Sequence, residues 1–121
     1  MANEDLRHRV YRLVLTVPPG KVTTYGALAR ALGVHPRAVA AALRANVLPI
    51  LIPCHRVVRS DGSPGGYSFG GPVIKRRLLE AEGVRFDERG RVLKDYIVED
   101  LSSVDKNLYV GSRGGLLSRR T

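Results

Sequence analysis

The sequence predicts a mainly α-helical domain with a small β wing, a winged helix-turn-helix-like arrangement, and three observations carry that expectation. Apolar residues recur at helical spacing near the amino terminus, two short helical segments flank a glycine, and short valine-containing stretches bounded by turn residues supply strands. The 121 residues give room for one compact domain with a modest core.

Over residues 5–17, Leu6, Val10, Leu13, Val14 and Val17 form an apolar stripe with Arg7, Arg9 and Arg12 on other faces, which reads as an amphipathic helix. Pro18-Pro19-Gly20 ends it, since proline cannot continue the hydrogen-bond ladder and glycine permits a reversal. Thr23 or Thr24 is placed to cap a second helix over Tyr25–Leu32, with Ala27, Leu28, Ala31 and Leu32 as its apolar face and Gly33 as its stop. Pro36 suits the first turn of a third helix reaching Arg44. The second and third helices, joined by a glycine-containing turn, read as helix-turn-helix.

Asn46 falls where a left-handed cap would close the third helix, and residues 47–52 form an apolar connection whose burial would anchor the segment that follows. Val57-Val58 reads as a strand before a Ser60-Asp61-Gly62 turn, and residues 65–71 as a glycine-rich loop. Pro72 opens a further helix through Leu78 and Leu79 to Glu82, stopped by Gly83. Residues 84–93 read as a hairpin turning at Glu88-Arg89-Gly90. The expected organisation is a folded unit over 1–95 and a carboxy-terminal extension over 96–121, its end a basic, partly flexible tail.

Twenty Lys and Arg against eleven Asp and Glu leave a formal net charge of +9, which favours polyanionic partners, nucleic acid first. The same balance also suits a membrane surface or plain solubility. No stretch approaches the ~20 apolar residues of a membrane span, and residues 1–5 do not read as a secretory leader. A single cysteine fits a reducing compartment, so a soluble, cytoplasmic protein with no membrane contact is expected.

That cysteine lies in Ile52-Pro53-Cys54-His55-Arg56-Val57. A reactive cysteine needs its thiolate, which the positive charge of His55, Arg56 and Arg59 would favour; a lone cysteine is also often a small buried hydrophobe. The third helix places Ala40-Ala41-Ala42 between Arg37 and Arg44. Small residues allow close approach to a duplex while arginines reach phosphates or bases, although alanine also simply favours helix.

Together the segments Pro19-Gly20-Lys21-Val22-Thr23-Thr24-Tyr25-Gly26, Arg37-Ala38-Val39, Pro49-Ile50-Leu51-Ile52-Pro53-Cys54-His55-Arg56-Val57, Gly66-Tyr67-Ser68 and Leu78-Leu79-Glu80-Ala81-Glu82-Gly83 strongly resemble the O6-alkylguanine-DNA alkyltransferases, or methylated-DNA–protein-cysteine methyltransferases. The resemblance implies an alkyltransferase domain that repairs DNA by direct reversal, moving an alkyl group from O6 of guanine to Cys54 once and irreversibly. It implies no cofactor and no metal. The partner would be double-stranded DNA containing O6-alkylguanine, met by a monomer at the nucleoid, or in the nucleus of a eukaryote.

By the same resemblance His55 would deprotonate Cys54 through a water, Glu82 would orient His55, and Asn46 would brace the turn around the cysteine. Tyr25 would press on the target phosphate and donate toward the guanine ring. Arg37 would fill the gap left by the flipped nucleotide, since a stacked base hides O6 from an enclosed pocket. Ala38, Ala41, Ala42 and Arg44 would complete the DNA-facing surface of the recognition helix, here in the minor groove. Tyr67, Ser68 and Lys75 would line the base pocket, with the Ser68 amide facing O6.

Three departures stand out: the chain starts at the DNA-binding, acceptor domain without the usual amino-terminal one, Val47 replaces a usual proline, and Phe69 lengthens the pocket loop by one residue and leaves the alignment of Lys75 open. Two other functions compete. An alkyltransferase-like protein would bind alkylated guanine without transfer, but such proteins replace the acceptor cysteine; a plain helix-turn-helix regulator would use Cys54 only for packing. A cysteine peptidase lacks a motif for a paired base, and His8, His35 and His55 with one Cys lack zinc-ligand spacing.

Overall fold

The computed structural model describes residues 5–101. Four helices, α1 (Leu6–Val14), α2 (Tyr25–Leu32), α3 (Pro36–Arg44) and α4 (Gly71–Ala81), surround a two-stranded sheet of β1 (Thr23–Thr24) and β2 (Val57–Val58). The helix-rich architecture with a small β region is the expected class.

Helix α1 starts where the Asp5 carboxylate accepts from the Arg7 amide at 3.1 Å. It ends at Val14, before the prolines are reached. The Thr16 hydroxyl donates to the Leu13 carbonyl at 2.6 Å, and the Thr16 and Val17 amides reach only three residues back, which tightens the last turn. Val17 is still fully buried, so the apolar period outlasts the helix. In α2 the Thr24 hydroxyl accepts from the Ala27 amide, and Gly33 closes the helix at φ 70°. Ala29 rather than Ala31 completes its inner face; Ala31 is exposed. In α3 Pro36 occupies the first turn, as expected, and His35 caps by accepting from the Arg37 amide at 3.0 Å.

Val10, Leu13 and Val14 pack with Leu28, Val39, Ala42 and Leu43 in a core shared by the first three helices, and the Tyr11 hydroxyl donates to the Ala42 carbonyl at 2.7 Å across α1 and α3. A smaller core beneath the sheet joins Val22, Val58, Leu79, Val84 and Val92. The two strands run parallel, Thr23 opposite Val57 and Thr24 opposite Val58. The expected hairpin is a single antiparallel bridge, Phe86 to Val92. Only that apolar pair flanks a turn built on the Asp87 carboxylate, which accepts from the Arg89 and Arg91 amides.

Packing continues past residue 95. Val22 exchanges backbone bonds with Tyr96 and Val98, and Leu101 is buried against the helical core. The expected basic tail lies outside the described residues.

Two expectations around the cysteine segment are overturned. Ala45, in the right-handed region, caps α3, and Ile50 rather than Asn46 takes a left-handed conformation, φ 72°, a strained choice for a β-branched residue. Nor is the apolar connection buried: Val47 is 79 % and Leu51 72 % exposed. Hydrogen bonds, not burial, hold it.

Gly70 shapes the entry to α4. Its φ is 133°, and a Cβ there would stand 2.6 Å from Ile74 Cγ1. Gly70→Ala is expected to cost about 2 kcal/mol through strain and contact, against about 1 kcal/mol for Gly33→Ala, where a Cβ meets nothing within 4 Å; urea unfolding of both variants checks the order.

Candidate active site

Cys54 opens a single 3-10 turn, Cys54–Arg56, that leads directly into β2. The sulfur is nearly buried, and Asn46 fixes its approach. Asn46 Nδ2 donates to the Ile52 carbonyl at 3.1 Å and points to Cys54 Sγ at 3.4 Å, while its Oδ1 accepts from the Leu48 amide at 2.9 Å. One buried amide thus spans the exposed connection from start to finish.

His55, 1 % exposed, faces the other way along the turn, and its Nε2 lies 3.0 Å from Glu82 Oε2. Glu82 is the capping residue at the end of α4. Arg56 grips the same carboxylate twice, Nε to Oε1 at 3.0 Å and Nη2 to Oε2 at 2.8 Å, and sends Nη1 to the Val17 carbonyl at 2.9 Å. The Arg56 charge is therefore spent on Glu82 rather than on the thiol, contrary to the field expected from sequence neighbours. Burial acts to raise the Glu82 carboxyl, but the bonds from Arg56 and His55 outweigh it and hold the group below the usual carboxylate range. For His55 burial dominates the support from Glu82, so its pKa lies below the ordinary value and the neutral ring is favoured. With Nε2 donating to Glu82, Nδ1 carries the lone pair; this buried atom bonds to no protein group.

Cys54 opens on a cavity of about 300 Å³. One wall comes from α3 through Ala40, Leu43 and Arg44, the other from the glycine-rich loop through Gly66, Tyr67 and Ser68, with Tyr25 between them. Tyr67 stands edge-on to both His55 and Phe69, ring centroids 6.5 and 5.5 Å apart, so Phe69 packs against the loop's own tyrosine. Lys75 is not part of the lining. It lies fully buried behind it, with Nζ donating to the Gly66 carbonyl at 3.1 Å and the Tyr25 hydroxyl at 3.4 Å. Burial lowers its pKa to about 8, an effect opposed by Cys54 and reinforced by Arg59. Burial also raises the Tyr25 phenol. Tyr25 is thus a protonated hydroxyl whose oxygen already accepts from Lys75, which leaves its own proton to donate.

On α3, Arg37, Ala41 and Arg44 are exposed and Ala38 is half-buried, so these four side chains are accessible at the surface. Ala42 is not available to DNA: it is 4 % exposed and packs inward with Val39 and Leu43. Helical spacing explains this, because Arg37, Ala40 or Ala41, and Arg44 share one face while position 42 falls on the opposite one. Ala40, noted with Ala41 and Ala42 only as a small residue of the third helix, is the alanine at the cavity, and the shared face with Arg37 and Arg44 was the signal for it.

The fold and site together define a helix-turn-helix domain in which a free, buried cysteine shares a cavity with the second helix of that motif. A family model described as "6-O-methylguanine DNA methyltransferase, DNA binding domain" matches residues 5–84, and the chain belongs to that family. It is 47 % identical over 83 residues to the methylated-DNA–protein-cysteine methyltransferase of Methanothermobacter thermautotrophicus, covering 69 % of this chain and 47 % of that one. Among solved structures, the O6-methylguanine-DNA methyltransferase of Pyrococcus kodakaraensis matches at TM-score 0.62 and 48 % identity, over 67 % of this chain and 47 % of that one. The Atl1 protein of S. pombe, crystallised with DNA containing O6-carboxymethylguanine, matches at TM-score 0.67 and 29 % identity, over 81 % of this chain and 98 % of that one. The chain spans about half the length of the curated methyltransferase relatives it matches.

Because His55 binds its proton less readily when folded than the ordinary histidine value of 6.5 allows, protonation favours the unfolded chain. Its contribution to stability is complete above pH 6.5 and is lost as pH falls below it, at no more than about 1.4 kcal/mol per pH unit. The Glu82 contribution is lost only below its ordinary value of 4.5. Melting temperatures from pH 8 to 3 are expected to decline in those two steps, with His55→Asn removing the first.

Proposed function

We propose that this chain repairs O6-alkylguanine in double-stranded DNA by transferring the alkyl group to Cys54, one group per chain and without release. The observation that carries this reading is the cavity in which Cys54 faces both the glycine-rich loop and the recognition helix: a base admitted there meets the sulfur while its strand remains on α3.

In the proposed reaction the Cys54 thiolate attacks the alkyl carbon. A carbon–sulfur bond forms, the carbon–O6 bond breaks, and its electron pair passes to the guanine. The thiol proton is taken up at His55 Nδ1, through a water by the family resemblance, and Glu82 stabilises the resulting imidazolium at Nε2. Tyr25 donates to the guanine as charge develops on it. The product is a thioether, which nothing in the site hydrolyses, so each chain acts once. No cofactor or metal enters the scheme. Extrusion of the nucleotide is needed to bring O6 to the cavity, with Arg37 filling the vacated stack. Action on chromosomal DNA accords with a cytoplasmic, nucleoid-associated protein, or a nuclear one in a eukaryote.

The structural match to nearly the whole of S. pombe Atl1, crystallised with DNA containing O6-carboxymethylguanine, favours a second reading, recognition of alkylated guanine without transfer. Cys54 at the acceptor position argues for repair.

Incubation with a duplex containing O6-methylguanine is expected to add one methyl mass per chain, mapped to Cys54. Cys54→Ser should abolish the shift yet keep affinity for the damaged duplex. Tight binding with the wild-type mass unchanged would support recognition alone and overturn the transfer.

A further inference from the structure

A second cavity, about 310 Å³, adjoins the first and shares Tyr25, Ala40, Arg44 and Gly66 with it. What it adds is charge: Arg37 and Arg59 join Arg44 in its wall. Arg59 comes from a different element than the two helix arginines. It follows β2, and its backbone is pinned by the turn beyond, where the Arg59 amide donates to the Ser63 carbonyl at 2.9 Å and its carbonyl accepts from the Gly62 amide at 2.8 Å. Its side-chain stem passes Gly65, where an added Cβ would stand 3.6 Å from Arg59 Cγ.

Among the described residues none of these three guanidinium groups is in an ion pair. The acidic side chain that feels Arg59, Asp61, commits its Oδ1 to the Ser63 amide and hydroxyl. Three arginines lining one cavity with no carboxylate partner among the described residues repel one another and match an anion with several acceptor oxygens. The neighbouring cavity is sized for a base, so the anion that belongs one step away is a phosphodiester of the same strand.

We propose that Arg59, together with Arg44, is a phosphate clamp that holds the phosphodiester flanking the extruded nucleotide and so positions its base in front of Cys54. The clamp rests on the transfer reading above, and it assigns Arg59 to DNA positioning rather than to the thiol.

The test compares wild type, Arg59→Ala and Arg59→Lys on four substrates: an O6-methylguanine duplex, two versions of that duplex with a neutral methylphosphonate at one or the other phosphate flanking the lesion, and free O6-methylguanine base. Arg59→Ala is expected to slow methylation of Cys54 by limiting duplex about tenfold and to reduce the slope of log affinity against log salt by about 1. Its reaction with free base should match wild type, and its melting temperature should be unchanged. One of the two methylphosphonates should slow wild type by a similar factor and slow Arg59→Ala no further, and Arg59→Lys should recover part of the rate. An equal loss on free base would transfer Arg59 to the thiol's environment, and strictly multiplicative losses with both methylphosphonates would place its contact elsewhere; either result overturns the clamp, as would an unchanged rate and slope. Should wild type transfer no methyl group from any substrate, the repair reading fails, while the same comparison made on binding affinity still decides the clamp.

Discussion

The Glu82 carboxylate is the constraint on which the site depends. It accepts from Arg56 through both oxygens and meets His55 on one of them, and it does so from the end of α4, a helix packed against the turn that carries Cys54. Arg56 extends the network to the Val17 carbonyl beyond α1. Three chain segments far apart in sequence are thereby locked by one charge. Removing a partner from a largely buried charged pair costs about 3–5 kcal/mol because the remaining charge is left unsatisfied. Such a network is poorly tolerant of change, but it holds the imidazole in one orientation and one tautomer. The proposed role of His55 as a base needs that fixed geometry.

Polarity around the cysteine runs opposite to simple expectation. The apolar residues of the connection before it, Val47, Leu48, Ile50 and Leu51, face solvent, while Lys75 and Asn46 are buried. Each buried polar side chain has a defined task. Asn46 ties the two ends of the connection to the sulfur, and Lys75 supports the Tyr25 hydroxyl and the Gly66 carbonyl that form part of the cavity wall. Precision at the thiol therefore comes from directional hydrogen bonds, which fix angles in a way that non-directional apolar contact does not.

The Cys54 cavity and its arginine-lined neighbour adjoin, with Tyr25, Ala40, Arg44 and Gly66 common to both. A nucleotide has the same division: a flat, largely apolar base and a charged phosphate joined by a short sugar. The helix-turn-helix supplies one wall to both cavities through a single face of α3, which under the proposed function would couple where the strand lies to where its base can go.

Much of this was legible in the residues themselves. Thr24, Gly33, Pro36 and Gly83 marked helix ends through local backbone chemistry, and the segment from Pro53 to Val57, with Tyr25, Glu82 and the Gly66-Tyr67-Ser68 loop, identified the family and its candidate nucleophile. Such signals survive in one dimension because caps, turns and helical period involve residues within about four positions of each other. Other decisions were made only by tertiary packing: Ala40 rather than Ala42 at the cavity, Arg56 bound to Glu82 instead of serving the thiol, Lys75 buried behind Tyr25, and Arg59 brought beside Arg37 and Arg44. Each depends on which distant surface a side chain meets, and burial and charge pairing across segments tens of residues apart have no counterpart in local sequence.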